Sequence, residues 1–298
     1  MTDRPAADPL SDLLRAHRLR AEVIATPAVC GPWQIGTWGA GRPVFHLVVD
    51  GGGWLHTDRS STPDPLAAGD LLVVPRDAFH MVTPDGVLRS REEVFARDDD
   101  GVAARFVCGT FDFVDGGADP LLRGLPDIVV VRHADGGADL TRAAQWLVDE
   151  AGRDAPGRGA LLDALASSLF CIALRHVLEH SETPGGLLGA LRDPRLNAAL
   201  MLVHARPAQP PALAELAAAA GMSRTAFVER FTATVGQPPA QYAQAFRLSL
   251  AARRLRNNRR ASVQAIAESV GYATEAAFRR AFARHFGYGP GRLRRDGA

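Results

Sequence analysis

Lysine is absent from this chain: all 34 Lys-plus-Arg positions are arginine, so every fixed positive side-chain charge is a guanidinium. Cysteine is nearly absent too, with Cys30, Cys108 and Cys171 scattered over 298 residues. An odd, dispersed set excludes a disulfide scaffold. It also excludes a DNA-repair methyltransferase, which needs a reactive thiol within a metal-binding cysteine cluster. No leader-like segment and no long apolar run is seen, and the expectation is a cytoplasmic protein with no membrane partner. The net charge of +1 says nothing by itself about nucleic acid.

That near-neutrality hides a division. Residues 187–298 hold 17 Arg against 6 acids, a net of +11, whereas residues 1–186 hold 17 Arg against 27 acids, a net of −10. A basic module of this kind is the electrostatic footprint of phosphate binding. The basic part also contains one pattern twice. Leu216 answers to Ile266 and Gly221 to Gly271, at an offset of fifty; Phe227 and Phe278, Phe231 and Phe282, and Pro239 and Pro290 follow at fifty-one, because the second turn is one residue longer. Each copy reads as a helix-turn-helix, the unit that sets its second helix in the DNA major groove.

The physical logic of each copy is local. A short Ala-rich helix is expected to present Leu213 and Leu216, or Val263 and Ile266, to a common core. Gly221 and Gly271 supply the left-handed turn that other residues adopt only at a cost. Ser223 and Thr274 stand where the next helix needs an N-cap. Phe227 and Phe231, like Phe278 and Phe282, form an aromatic stripe on the buried side. Opposite that stripe, Arg224, Thr225, Val228 and Glu229 face DNA in the first copy, and Glu275, Ala276, Arg279 and Arg280 in the second. Arg279 and Arg280 suit a bidentate contact to guanine; Glu229 suits either cytosine or a neighbouring Arg. Arg253, Arg254, Arg256, Arg259 and Arg260 fit phosphate contacts or a solvated helix end equally well. Between the copies, Gln241–Asn257 reads as one amphipathic helix of roughly 25 Å. Two recognition helices about 34 Å apart would enter successive major grooves, so one monomer would read two half-sites.

Residues 190–298 resemble the DNA-binding domain of the AraC family of bacterial transcription regulators. The resemblance lies in Met222-Ser223-Arg224, Val235-Gly236, Ile266-Ala267, Val270-Gly271-Tyr272, Phe278-Arg279-Arg280-Ala281-Phe282 and Phe286-Gly287-Tyr288-Gly289-Pro290. It implies seven helices in two linked helix-turn-helix subdomains and sequence-specific promoter binding.

From about Trp33 to Phe113 the texture changes to short apolar runs (Val44–Val49, Leu71–Val74, Arg105–Val107) broken by turn chemistry such as Gly51-Gly52-Gly53 and Pro84-Asp85-Gly86. Many short strands so punctuated predict a sandwich or barrel. Gly69-Asp70-Leu71-Leu72-Val73-Val74-Pro75 with His80 resembles the second cupin motif, and Phe45-His46 leading to Gly51 part of the first. With Asp8-Pro9-Leu10-Ser11-Asp12 and Val107-Cys108-Gly109, they resemble the cupin-type sensor domain of one AraC subgroup. Cupin metalloenzymes offer His-x-His, a Glu shortly after and a further His. Here His46 has Val48 two residues on and no nearby Glu, followed by His56 and His80. The expectation is no metal and no cofactor, with His46 and His80 as effector-pocket or packing residues. Oxidant-sensing members of the subgroup carry cysteines in places comparable to Cys30 and Cys108, which makes these two the redox candidates; a purely structural role fits them as well. Cys171, inside the apolar stretch Leu161–Leu178, is expected to be buried and inert.

Two further helices are expected at Leu140–Glu150 and Ala160–His180, broken at Gly152–Gly159 and suited to dimerisation or to packing on their own barrel. Thr183-Pro184-Gly185-Gly186 reads as a linker. The sequence therefore predicts an α+β chain: a cupin-like β-barrel (1–139), a helical linker (140–186) and an all-α domain with two helix-turn-helix units (187–298). Its expected function is a non-enzymatic transcriptional regulator, cytoplasmic and nucleoid-associated. Its partners would be double-stranded promoter DNA, a second copy, RNA polymerase if it activates, and a small-molecule or oxidant effector. The rival reading is a cupin metalloenzyme fused to a DNA-binding domain.

Overall fold

The computed structural model describes residues 8, 10–11, 14, 19–36, 41–92, 94, 103–113, 122, 124–181, 185–258 and 260–292. Part of the expected linker, residues 183 and 184, lies outside them, as do Pro9, Asp12 and Arg259. The chain divides into two compact units, one built from Arg20–Asp112 and Leu125–Glu182, the other centred on Thr183–Ala298.

In the first unit, strands β1 (Leu19–Ala25), β2 (Ala28–Val29), β3 (Val44–Asp50), β4 (Gly52–Thr57), β5 (Ser60–Ala67), β6 (Leu71–Val74), β7 (His80–Thr83), β8 (Ala104–Phe113) and β9 (Val129–Val131) precede helices α1 (Gly137–Ala151) and α2 (Arg158–His180). One sheet runs β1-β8-β3-β6-β9, with β2 also on β8, and the other runs β5-β4-β7. Strand β3 is apolar almost throughout because both of its faces are covered. Val44 and Val48, alternating with His46, join Leu55, Leu66, Leu72, Val74, Val82, Ala104 and Phe106 in the core between the sheets. On the other face Phe45 meets Phe111 at 4.9 Å, and Phe111 meets Phe170 of α2 at 4.8 Å. Helix α2 has the length and mean hydropathy (1.6) of a membrane span. Here it packs on β6 and β9 instead, burying Leu162, Leu165, Leu169, Phe170, Leu174 and Val177. Asp70, buried in the turn before β6, accepts the backbone N–H groups of Ala67 and His133 and pairs with Arg132 at 3.1 Å.

The second unit holds seven helices among the described residues: α3 (Gly186–Arg192), α4 (Pro194–Ala205), α5 (Leu213–Ala219), α6 (Arg224–Val235), α7 (Pro239–Asn257), α8 (Val263–Ser269) and α9 (Glu275–Phe286). Both turns follow the expected chemistry. Gly221 and Gly271 have φ of +62° and +82°. Ser223 accepts the N–H of Ala226 and Thr274 that of Ala277. Phe227, Phe231, Phe278 and Phe282 are buried. One expectation fails: Leu216 is in the core, but Leu213 is 41% exposed. It is the first residue of a seven-residue helix; Val263, which opens the equivalent helix α8, is instead partly buried against the core.

The two glycine turns differ in their surroundings. A Cβ at Gly221 would meet nothing within 4 Å, whereas one at Gly271 would lie 2.7 Å from the Ala208 carbonyl oxygen. The left-handed backbone alone costs an L-residue about 1–2 kcal/mol. Gly221→Ala should therefore lower unfolding stability by about that amount, and Gly271→Ala by distinctly more. Urea denaturation of both variants checks this; equal losses would show that the close approach to Ala208 adds nothing.

Candidate functional site

The recognition surface is set by helix caps and a shared scaffold. With the Phe stripes of α6 and α9 buried, the opposite side of each helix is left outward. Ser223, Arg224, Thr225 and Glu229 are exposed and Val228 half-buried; Thr274, Ala276, Arg279 and Arg280 are exposed and Glu275 half-buried. The expected DNA-facing residues thus cluster on two surfaces of different chemistry. At equivalent positions α6 presents Arg224, Val228 and Glu229 where α9 presents Glu275, Arg279 and Arg280. Glu275 already holds Arg279, one turn away, at 2.6 Å. Arg230 pairs at 2.6 Å with Asp193, the residue whose side chain caps α4.

Helix α7 joins the two subdomains. Its Tyr242 hydroxyl lies 2.6 Å from His204 Nε2 and its ring 5.8 Å from that of Phe231. Further along, Leu248, Leu250, Ala251 and Leu255 enter the core formed with Ile266, Val270, Phe278 and Phe282. Two of its arginines turn inward. Arg247 donates to the carbonyls of Val270 and Gly271 at 2.6 and 2.9 Å, and Arg254 to Ser269 O at 2.8 Å. These carbonyls end α8, where a cation is favoured by orphan acceptors and by the helix dipole. Arg254 is thus turned to a helix end, not toward phosphate. The role of Arg247 carried no sequence signal, since an arginine within a helix ordinarily reads as surface charge.

The barrel brings three of the four remaining candidate residues together. His46 on β3 is directly opposite Cys108 on β8, and His46 Nδ1 lies 3.0 Å from Cys108 Sγ. His46 Nε2 lies 3.0 Å from Nε2 of His80, which opens β7 in the facing sheet, and His80 Nδ1 is 3.0 Å from the Ala78 carbonyl oxygen. His46 and His80 are 2% and 0% exposed, while Cys108 is half-buried. His56 is on the opposite face of its strand from this group, hydrogen-bonded to Thr83 at 2.9 Å. Cys30 is also apart. Val29 pairs with Ala104, so the next residue lies some five positions, about 17 Å, from Cys108 along the strand. A disulfide requires Cα atoms within about 6.8 Å, and this conformation does not permit one between Cys30 and Cys108.

The barrel raises the question of a metal, and the donors here do not fit one. Both nitrogens of His46 are engaged, and a direct contact of 3.0 Å between imidazole nitrogens is a hydrogen bond. Among the described residues no group of three or more His, Cys, Asp or Glu side chains is placed to hold a metal ion.

Burial and the adjacent His80 push His46 down to about 3. Burial also lowers His80, opposed by the Ala78 carbonyl and Asp77. Both rings are therefore neutral in the fold, whereas an unfolded histidine protonates near 6.5. Below that pH the unfolded chain binds the extra protons, so stability present above about 6.5 is lost as pH falls toward 3. For His46 the slope is up to about 1.4 kcal/mol per pH unit, and the lowering of His80 acts in the same direction. Urea midpoints for barrel unfolding should drop between pH 7 and pH 5, above the carboxylate range, and less steeply in His46→Gln; equal slopes would contradict a neutral His46.

Comparison with known proteins agrees with this architecture. Residues 8–179 match the Cupin family and residues 216–296 the Helix-turn-helix domain family. The chain is 34% identical over 303 residues to a putative AraC-like transcription regulator of Streptomyces lividans and 33% identical over 302 residues to one of Streptomyces antibioticus, covering 97% of this chain and 98% of the relative in each case. It is 27% identical over 293 residues to the RCS-specific HTH-type transcriptional activator RclR of Escherichia coli, covering 96% of this chain and 97% of that one. Barrel, basic helical unit and full-length similarity converge: the chain belongs to the AraC-like transcription regulators, with a cupin domain at its N-terminal side and a helix-turn-helix DNA-binding domain at its C-terminal side.

Proposed function

We propose that the protein binds double-stranded promoter DNA sequence-specifically as a homodimer, controlled by a small ligand or oxidant received in the cupin domain. The observation that carries this reading is the pair of capped recognition helices with unlike outward residues on one shared scaffold. Arg and helix-terminal amides hold phosphates, Ser223 and Thr274 beside them, while Arg224, Thr225, Val228 and Glu229 on α6 and Glu275, Ala276, Arg279 and Arg280 on α9 face base edges. Their different chemistry favours two unequal half-sites. On the cupin side, the polar cluster of His46, His80 and half-buried Cys108 in an apolar barrel is the receiving site.

The helical pair supports dimerisation. Between α1 and α2 lies a groove of about 500 Å³ that includes Trp146, Leu165 and Ile172, with Asp139, Arg142 and Arg175 alongside. Trp146 is 54% exposed. A two-fold axis would set this mixed-charge surface against its own copy. As an activator the dimer would contact RNA polymerase. It acts in the cytoplasm, on the nucleoid.

Fluorescence anisotropy with the DNA upstream of its own gene, at two salt concentrations, tests the reading. Arg280→Ala should weaken specific binding by about 1–3 kcal/mol and relax one base preference, leaving random DNA unaffected. An equal loss on random DNA would make Arg280 a phosphate contact. Repeating the titration with mild oxidant, on wild type and Cys30→Ser/Cys108→Ser, separates the signals. A reversible change that the variant loses marks an oxidant; indifference marks a small ligand at His46 and His80.

A further inference from the structure

The hydrogen bonds around His46 have a direction that chemistry dictates. A carbonyl oxygen only accepts, so Nδ1 of His80, 3.0 Å from Ala78 O, carries a proton. In a neutral ring its Nε2 is then a bare lone pair. Two bare nitrogens do not share a 3.0 Å contact, so His46 Nε2 donates to His80. His46 Nδ1 is left as an acceptor, and the thiol 3.0 Å away donates to it. The resting chain thus runs from Cys108 S–H to His46, from His46 to His80, and from His80 to the Ala78 carbonyl.

Moving two protons one step each preserves every contact. The Cys108 proton passes to His46 Nδ1, and the His46 Nε2 proton passes to His80. His46 stays neutral in its other tautomer, the sulfur becomes a thiolate held by Nδ1–H, and the positive charge rests on His80. Leaving the charge on His46 is the poorer alternative. Burial opposes a charge on either ring, but His46 has only another imidazole beside it, whereas His80 as a cation keeps its bond to the Ala78 carbonyl and has Asp77 near it. Among the described residues, the titratable and charged groups placed along this chain are Cys108 from β8, His46 from β3, His80 from β7 and Asp77 from the turn before β7.

We propose that Cys108 is a nucleophilic thiol whose proton is relayed through His46 and held by His80, making His80 the positioning residue for reaction with small electrophiles that carry a leaving group. In that reaction sulfur forms a bond to the electrophilic atom as the bond to the leaving group breaks. The leaving group departs with its electron pair, and the thiol proton remains on His80 until it is lost to solvent. Cys108 is half-buried, while both bases are enclosed. The inference rests on reading the cluster as the regulator's receiving site, and it specifies the chemistry received there.

Iodoacetamide labelling of the full-length protein, followed for each cysteine by peptide mass spectrometry across pH, tests the relay. Cys171, whose thiol is pushed up by burial, is the internal reference. In the wild type, Cys108 should label with an inflection below the ordinary thiol value of about 8.5, and Cys171 only at higher pH. His80→Gln keeps a polar side chain but cannot hold the proton. It should slow Cys108 at pH 7 by about tenfold, the change that one unit of thiol pKa produces, and leave Cys171 unmoved. His46→Gln/His80→Gln should be no slower than either single variant. An unchanged Cys108 profile in His80→Gln, or a wild-type Cys108 no faster than the unfolded chain, overturns the relay. Circular dichroism confirms that the variants fold, and the wild-type profile decides the question even where they do not. DNA affinity measured on the same samples separates the two readings: fast, His80-dependent labelling with unchanged affinity upholds the relay and overturns the cluster as receiving site.

Discussion

Helix α7 belongs to two hydrophobic cores at once, and the reading of DNA by this protein depends on that sharing. Tyr242 packs with Phe231 of the first helix-turn-helix, and Leu248 to Leu255 pack with Phe278 and Phe282 of the second. Neither subdomain could rotate freely without opening one of those cores. The 19 residues of α7 span roughly 28 Å, a rigid distance that side-chain burial at both ends protects. Arg247 and Arg254 extend the same constraint into the second turn, because they fix the carbonyls at the end of α8. Cation–π contact between Arg247 and Tyr272, at 4.7 Å, adds to that hold. A basic domain thus directs some of its positive charge inward, to make geometry.

What was legible in the sequence was local or repeated. The turn glycines, the Ser223 and Thr274 caps and the Phe pairs each need only a few neighbouring residues to express their preference. Their recurrence at fixed spacing carries the same physics twice. Leu213 shows the limit of that logic: helical periodicity assigns it to the buried side, but it is exposed, whereas Val263 at the equivalent position of the second copy packs against the core. Arg247 shows another limit. Its partners lie 23 and 24 residues away, and the pairing exists only after α7 and α8 have packed.

The barrel was legible as a class and not as a site. Alternating apolar runs broken by Gly, Pro and Asp predict many short strands, and His46, His80 and Cys108 were each recognisable singly. Their meeting was not, because it needs the β3–β8 register, which places His46 opposite Cys108, and the facing of two separate sheets, which brings His80 to His46. A one-residue slip in that register would turn Cys108 to the helix side and leave His46 against Val107 or Gly109. By the same register, Cys30 is carried far along the strand from Cys108, so two cysteines that look equivalent in sequence occupy different surroundings.

The polar chain across the barrel also explains itself energetically. An isolated imidazole in an apolar core would leave one donor and one acceptor unpaired, each costing about 1–3 kcal/mol. Here every nitrogen of His46 and His80 has a partner, and the series begins at a weak acid and ends at a backbone carbonyl. Such a series is satisfied in more than one protonation pattern, a property that a purely apolar barrel or a single buried histidine lacks. Because both patterns use the same heavy-atom positions, changing between them requires no rearrangement of the sheets. Covalent change at the sulfur is different: it removes the donor or adds bulk at one end, and His46 and His80 must then find new partners or move. The strands that carry them, β3 and β7, lie in different sheets, so the cost of that mismatch falls on the contact between the two sheets. A cluster built this way absorbs proton movement without rearrangement and registers covalent change as strain between the sheets, which is the discrimination the proposed receiving site requires.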